Sequence, residues 1–194
     1  MARSYGIKGC SIWRFIVCIY GMRGLGKTTI ARKLYHLIDV KREFENRAWV
    51  VVSQDYIIQD LLTRIFNSFG DAEMVKTHEV ENNEDLKKMN EVDLGRRLHK
   101  SLQGHSYLLV IDGVWDKEAW RILKAVFLDN KNGSRVIITT RNEEVAKSSD
   151  ERTHSHGLRH LREEKSWQLF CKKTFRNFKA DEELKKLCKE MVQK

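Results

Sequence analysis

Gly21-Met22-Arg23-Gly24-Leu25-Gly26-Lys27-Thr28 spells G-x-x-x-x-G-K-T directly behind the apolar run from Phe15 to Tyr20. That order predicts a buried strand, a tight phosphate-binding loop and a helix. Glycines let the backbone turn sharply and gather successive N–H groups around phosphate oxygens. Gly21, Gly24, Leu25, Gly26, Lys27, Thr28 and Thr29 are therefore the candidate phosphate-binding residues. Lys27 supplies a cation for the terminal phosphates, and the Thr28 hydroxyl suits Mg²⁺. The helix expected from Lys27 to about Ile38 points its positive end at the same anion. Its apolar residues Ile30, Leu34 and Leu37 share one face, as packing on a sheet requires.

A phosphate loop needs an acidic partner. Tyr107-Leu108-Leu109-Val110-Ile111-Asp112 is an apolar run ending in a carboxylate, which reads as a central parallel strand buried on both faces. At the strand's C-terminal edge, Asp112 is placed to hold Mg²⁺ opposite Thr28. The competing reading is an ordinary turn-starting aspartate before Gly113. Gly133 to Arg141 is a glycine turn, a β-branched strand and a terminal Thr-Thr-Arg. Strand ends of an open parallel sheet converge on the ligand crevice, so Arg141 is the candidate γ-phosphate sensor. The alternative is a surface arginine opening the next helix.

Periodicity places strands near 15–20, 47–53, 107–112, 134–140 and 154–158. Helices are expected near 27–38, 56–69, 90–103, 116–126 and 142–148. The alternation implies an α/β fold, a parallel sheet with helices on both faces. Asp71 to Asp93 is acidic and weakly patterned, and reads as a solvated loop running into a helix. Beyond residue 158, Trp167, Phe170, Cys171, Thr174 and Phe175 follow helical spacing, as do Leu184, Leu187, Cys188, Met191 and Val192. Two such faces read as core. The division expected is a nucleotide-binding domain over 1–158 and the start of a helical subdomain over 159–194.

Composition excludes several alternatives. With 32% charged and 41% hydrophobic residues the chain reads as globular, and no run approaches a transmembrane length. Arg14 interrupts the first apolar stretch and argues against a signal peptide. Cys10, Cys18, Cys171 and Cys188 lack C-x-x-C spacing and read as free thiols of a reducing compartment, hence a cytoplasmic expectation. His154, His156 and His160 cluster loosely without the companion spacing of a metal site. The net charge of +9 favours polyanions in general. It is dispersed, and no nucleic-acid module accompanies it, so no specific nucleic-acid partner is expected.

Together these motifs resemble the NB-ARC domain of plant NLR disease-resistance proteins, a STAND/AAA-like P-loop NTPase. The loop is similar to that family's G-M-x-G-x-G-K-T-T, with Arg23 in place of a usual glycine. Phe44 to Gln54 resembles its next motif. Leu108 to Trp115 resembles the Walker-B-like motif, whose closing Trp115 is typical of the coiled-coil branch. Gly133 to Arg141 resembles the sensor-arginine motif, and Leu158 to Phe175 the opening of the ARC1 helical subdomain. The resemblance implies ADP or ATP as ligand, Mg²⁺ as companion, and other receptor domains or NLR proteins as partners. Gly113 stands where the family usually has a second acidic residue, so hydrolysis is expected to be weak or absent, and Asp116 is a doubtful substitute. The GLPL and MHD segments and leucine-rich repeats do not occur in the sequence, which implies a domain truncated before GLPL, with base recognition impaired. Three readings follow: a nucleotide switch in plant defence, a truncated adaptor or decoy acting through protein contacts, and a P-loop ATPase or kinase with turnover.

Overall fold

In the computed structural model the described residues form five strands, the first four on β-branched or apolar runs and the last on a polar edge segment: β1 (Ile16–Tyr20), β2 (Asn46–Val51), β3 (Tyr107–Val114), β4 (Arg135–Thr140) and β5 (Thr153–Gly157). The residues described are 16–44, 46–53, 55–69, 86, 88–127, 133–148, 153–175 and 182–192. Cys10 and most of the acidic segment 71–93 lie outside them. The helices are α1 (Lys27–Tyr35), α2 (Ile38–Glu43), α3 (Ile58–Ser68), α4 (Glu91–Leu102), α5 (Lys117–Val126), α6 (Glu143–Lys147), α7 (Glu163–Thr174) and α8 (Glu182–Val192).

Every strand pairing is parallel, in the order β2-β3-β4-β1-β5. Successive side chains on a strand point to opposite faces, so each inner strand must be apolar at both parities. On one face Leu108 and Val110 of β3, Ile137 of β4 and Ile19 of β1 cluster with Ala31, Val40 and Phe44 of the α1–α2 region. On the other, Leu109, Ile111, Val136, Ile138 and Cys18 cluster with buried residues of α3, α4, α5 and α6. Both faces are thus covered, as the sequence pattern predicts.

Two expectations are corrected. The helix predicted over 27–38 stops at Tyr35; Leu37 takes an extended backbone (φ −61°, ψ 137°) and α2 begins at Ile38. Leu37 packs on the α1–α2 cluster instead of extending the helix. The face of α1 also differs. Ala31 is fully buried against the sheet, whereas Ile30 is 36% exposed. A helix starting at a phosphate loop sits close to its strands, and a methyl fits that approach better than a sec-butyl group.

By contact density the chain divides into Met1–Leu158 and Arg159–Lys194. In the second unit Trp167 stacks on Phe170 at 5.7 Å, and Phe175 meets Phe170 edge-on. Cys188 is buried there, but Leu169, Leu184 and Leu187 are exposed, so these helix faces are less fully core than their spacing suggests.

Candidate nucleotide-phosphate site

The strand order puts β4 between β1 and β3, so the segments following β1, β3 and β4 meet at one edge of the sheet. Register brings the ends level: Tyr20 lies beside Thr140, and Asp112 beside Thr139. The edge forms a cleft of about 410 Å³ lined by Gly24, Gly26, Lys27, Thr28, Asp112 and Arg141 among others. Thr29 and Arg23 line it too.

Gly24 (φ 82°) and Gly26 (φ 90°) occupy the left-handed region, and a Cβ on either would stand in open space. Such a loop leaves room for an anion at the first turn of α1. That turn has no acidic residue, and its leading N–H groups have no partner within the helix. Gly21 and Leu25 do not line the cleft; they set the loop's base. The Gly21 N–H donates to the Thr140 carbonyl (3.3 Å), and a Cβ at Gly21 would meet the Leu25 side chain at 3.1 Å and the Leu158 carbonyl at 3.0 Å.

Lys27 is buried, and its Nζ donates to the Gly21 and Met22 carbonyls at 2.7 Å each. Burial and then the Arg141 charge pull its pKa below the ordinary lysine value, with Asp112 acting in the opposite sense. Lys27 and Arg141 therefore feel each other as like charges on one cleft, an arrangement that attracts a polyanion. Thr28 Oγ1 donates to Asp112 Oδ1 at 2.8 Å. Thr139 Oγ1 donates to the same oxygen at 2.5 Å while accepting from the Gly113 N–H at 2.9 Å. One carboxylate beside one hydroxyl, both facing the cleft, is a donor set that suits Mg²⁺ completed by water and phosphate oxygens.

Gly113 sits at a register shift between Asp112 and Val114, with φ 89°. It is why β3 runs past Asp112, where the sequence reading ended it. Asp116 is committed elsewhere: Oδ1 accepts from the Ala119 N–H (2.8 Å) as the cap of α5, and Oδ2 accepts from Tyr56 (2.7 Å). Those bonds, the Ala119 N–H first, hold its carboxyl below the usual range. Burial, and then the hydrogen bond to Asp116, push the Tyr56 phenol up to about 12.

Sequence reasoning missed Thr139 and Trp115 as site residues. A polar residue ending an apolar strand could have signalled Thr139. For Trp115, whose ring centroid lies 4.7 Å from the Arg141 guanidinium carbon, no local pattern carries the pairing.

This fold matches that of STAND/AAA-like P-loop NTPases. A solved signal-transduction ATPase of the STAND class from Pyrococcus horikoshii, with a tetratricopeptide repeat sensor, has a similar fold (TM-score 0.58, 18% identity, 93% of this chain and 25% of that one). The profile of the NB-ARC domain family matches residues 7–180, and the chain belongs to that family, the nucleotide-binding module typical of plant immune receptors. Disease resistance protein RPP13 of Arabidopsis thaliana is 49% identical over 182 residues, covering 93% of this chain and 21% of that protein. A putative late blight resistance protein homolog, R1B-14 of Solanum demissum, is 38% identical over 161 residues, 82% of this chain and 11% of that protein. The chain thus spans about a fifth or less of the length of these relatives. Among the described residues, no helix is long and apolar enough to cross a membrane.

Proposed function

We propose that this chain is an ADP- and ATP-binding switch of a cytoplasmic plant immune receptor, acting in defence with little or no hydrolysis. The observation that carries this reading is the meeting of Lys27, Thr28, Asp112 and Arg141 around one cleft at the C-terminal strand edge. Lys27 and the N–H groups of the loop and α1 hold phosphate oxygens. Thr28 and Asp112 hold Mg²⁺, which when bound offsets the charge of the phosphates. Arg141 meets the terminal phosphate and so reports whether the nucleotide is a triphosphate.

Slow turnover follows from the other side chains. Among the described lining residues Asp112 is the one carboxylate, and two hydroxyls already hold its Oδ1. Gly113 cannot orient an attacking water, and Asp116 caps α5. A nucleotide that stays bound can act as a switch if ADP and ATP differ in affinity for two arrangements of the receptor. Other receptor domains or NLR proteins are the partners in that process.

Asp112→Asn tests the assignment. Affinity for ADP is measured by titration calorimetry with Mg²⁺ and with EDTA. The parent chain should bind more tightly with Mg²⁺, and the variant should lose that difference while keeping its affinity in EDTA. An undiminished Mg²⁺ effect would remove Asp112 from the site.

A further inference from the structure

We propose that Trp115 is a positioning residue: its indole face holds the Arg141 guanidinium over the phosphate cleft and thereby sets the preference for a nucleoside triphosphate over a diphosphate. The proposal rests on the reading that Arg141 meets the terminal phosphate.

Arg141 is exposed, and among the described residues no carboxylate pairs with it. Lys27 stands across the same cleft close enough to repel it. A long, free cation in that position would swing toward solvent. Instead its guanidinium carbon lies 4.7 Å from the Trp115 ring centroid, well within cation–π range, and tryptophan is the strongest such partner. Stacking uses the flat face of the guanidinium and leaves its N–H edge free for two phosphate oxygens.

The ring is itself held. Trp115 Nε1 donates to the Val52 carbonyl (3.4 Å), while the Asn142 side-chain amide donates to the Trp115 carbonyl (3.4 Å). Asn142 is fixed in turn, since its N–H donates to Thr140 Oγ1 and its Oδ1 accepts from the Glu144 N–H, each at 2.9 Å. Arg141 therefore sits between two tethered residues with its side chain against a tethered ring.

Gly113 lies beside this seat. A Cβ there would approach the Val52 carbonyl at 3.3 Å and Trp115 Nε1 at 3.9 Å, at the point where these two groups bond.

The test is calorimetric titration of the whole chain with Mg²⁺–ADP and with a Mg²⁺-bound non-hydrolysable ATP analogue. Trp115→Leu should lower the ratio of analogue affinity to ADP affinity by about two- to fivefold, the equivalent of one exposed cation–π contact. Trp115→Phe, which keeps a weaker π face, should fall between parent and Trp115→Leu. Arg141→Ala should abolish the preference, and adding Trp115→Leu to it should change nothing more. If Arg141→Ala abolishes the preference but Trp115→Leu leaves or raises it, the positioning role fails and the sensor reading stands. If Arg141→Ala has no effect, both fail. Should Trp115→Leu not fold, Trp115→Phe decides: a ratio equal to or above the parent's overturns the proposal.

Discussion

Replacing Thr139 by valine removes a hydroxyl and little else, since the two side chains share shape, branching and strand preference. Thr139 is 1% exposed, so water cannot take over its bonds. Its Oγ1 donates to the Asp112 carboxylate and accepts the Gly113 N–H. A hydrogen bond to a charged group contributes about 1.5–3 kcal/mol, and a neutral one about 1 kcal/mol. Allowing for non-additivity within one network, Thr139→Val should cost about 2–4 kcal/mol. For a chain of this size that lowers the unfolding midpoint by about 4–16 °C at about 2–4 °C per kcal/mol. Thr139→Ser keeps the hydroxyl and gives up one methyl, worth about 1 kcal/mol. Thermal unfolding followed by circular dichroism, without nucleotide, separates the two. If valine matches the parent, or serine is as damaging as valine, the hydroxyl does not hold Asp112 in the way described.

Gly113→Asp supplies the missing acid but forces a side chain into a left-handed backbone (φ 89°) with its Cβ 3.3 Å from a carbonyl. It should destabilise the chain by about 1–2 kcal/mol and raise ATP turnover, measured by phosphate release, above the parent's; unchanged turnover in a folded variant would refute the glycine argument. Asp116→Ala should cost about 1 kcal/mol through loss of the α5 cap, whereas Asp116→Asn, itself a good cap, should cost little at neutral pH. Because the folded pKa of Asp116 is depressed, its ionised form adds stability above the unfolded value near 3.8, and that stability is lost as pH falls through the lower folded value. The stability gap between parent and Asp116→Ala should therefore narrow below about pH 4, and a gap that widens there would contradict the assignment.

The candidate cleft was legible in the chain where polar residues close apolar runs at strand ends. Lys27, Thr28, Asp112 and Arg141 each follow an apolar run, and a parallel sheet gathers such ends on one edge. Strand order was not legible. Nothing in the spacing states that β4 lies between β1 and β3, yet that placement brings Thr139 onto Asp112 and Arg141 onto Trp115. The bulge at Gly113 escaped for a related reason: a glycine after a carboxylate reads as a turn, and its positive φ inside a strand depends on the neighbouring strand. On α1, helical periodicity picked Ile30 for burial, but closeness to the sheet selected Ala31. Periodicity counts apolar residues without knowing how near the partner surface stands.

Thermal unfolding of the chain and of Lys27→Ala, each with and without Mg²⁺–ADP, tests nucleotide binding through the phosphate loop most directly. At a hundredfold excess over Kd, binding adds about 2.7 kcal/mol, a rise of about 5–11 °C for this length. That rise is expected in the parent chain and should vanish in Lys27→Ala without a large change in the ligand-free midpoint. No rise in a folded parent chain, or an equal rise in Lys27→Ala, would contradict the account.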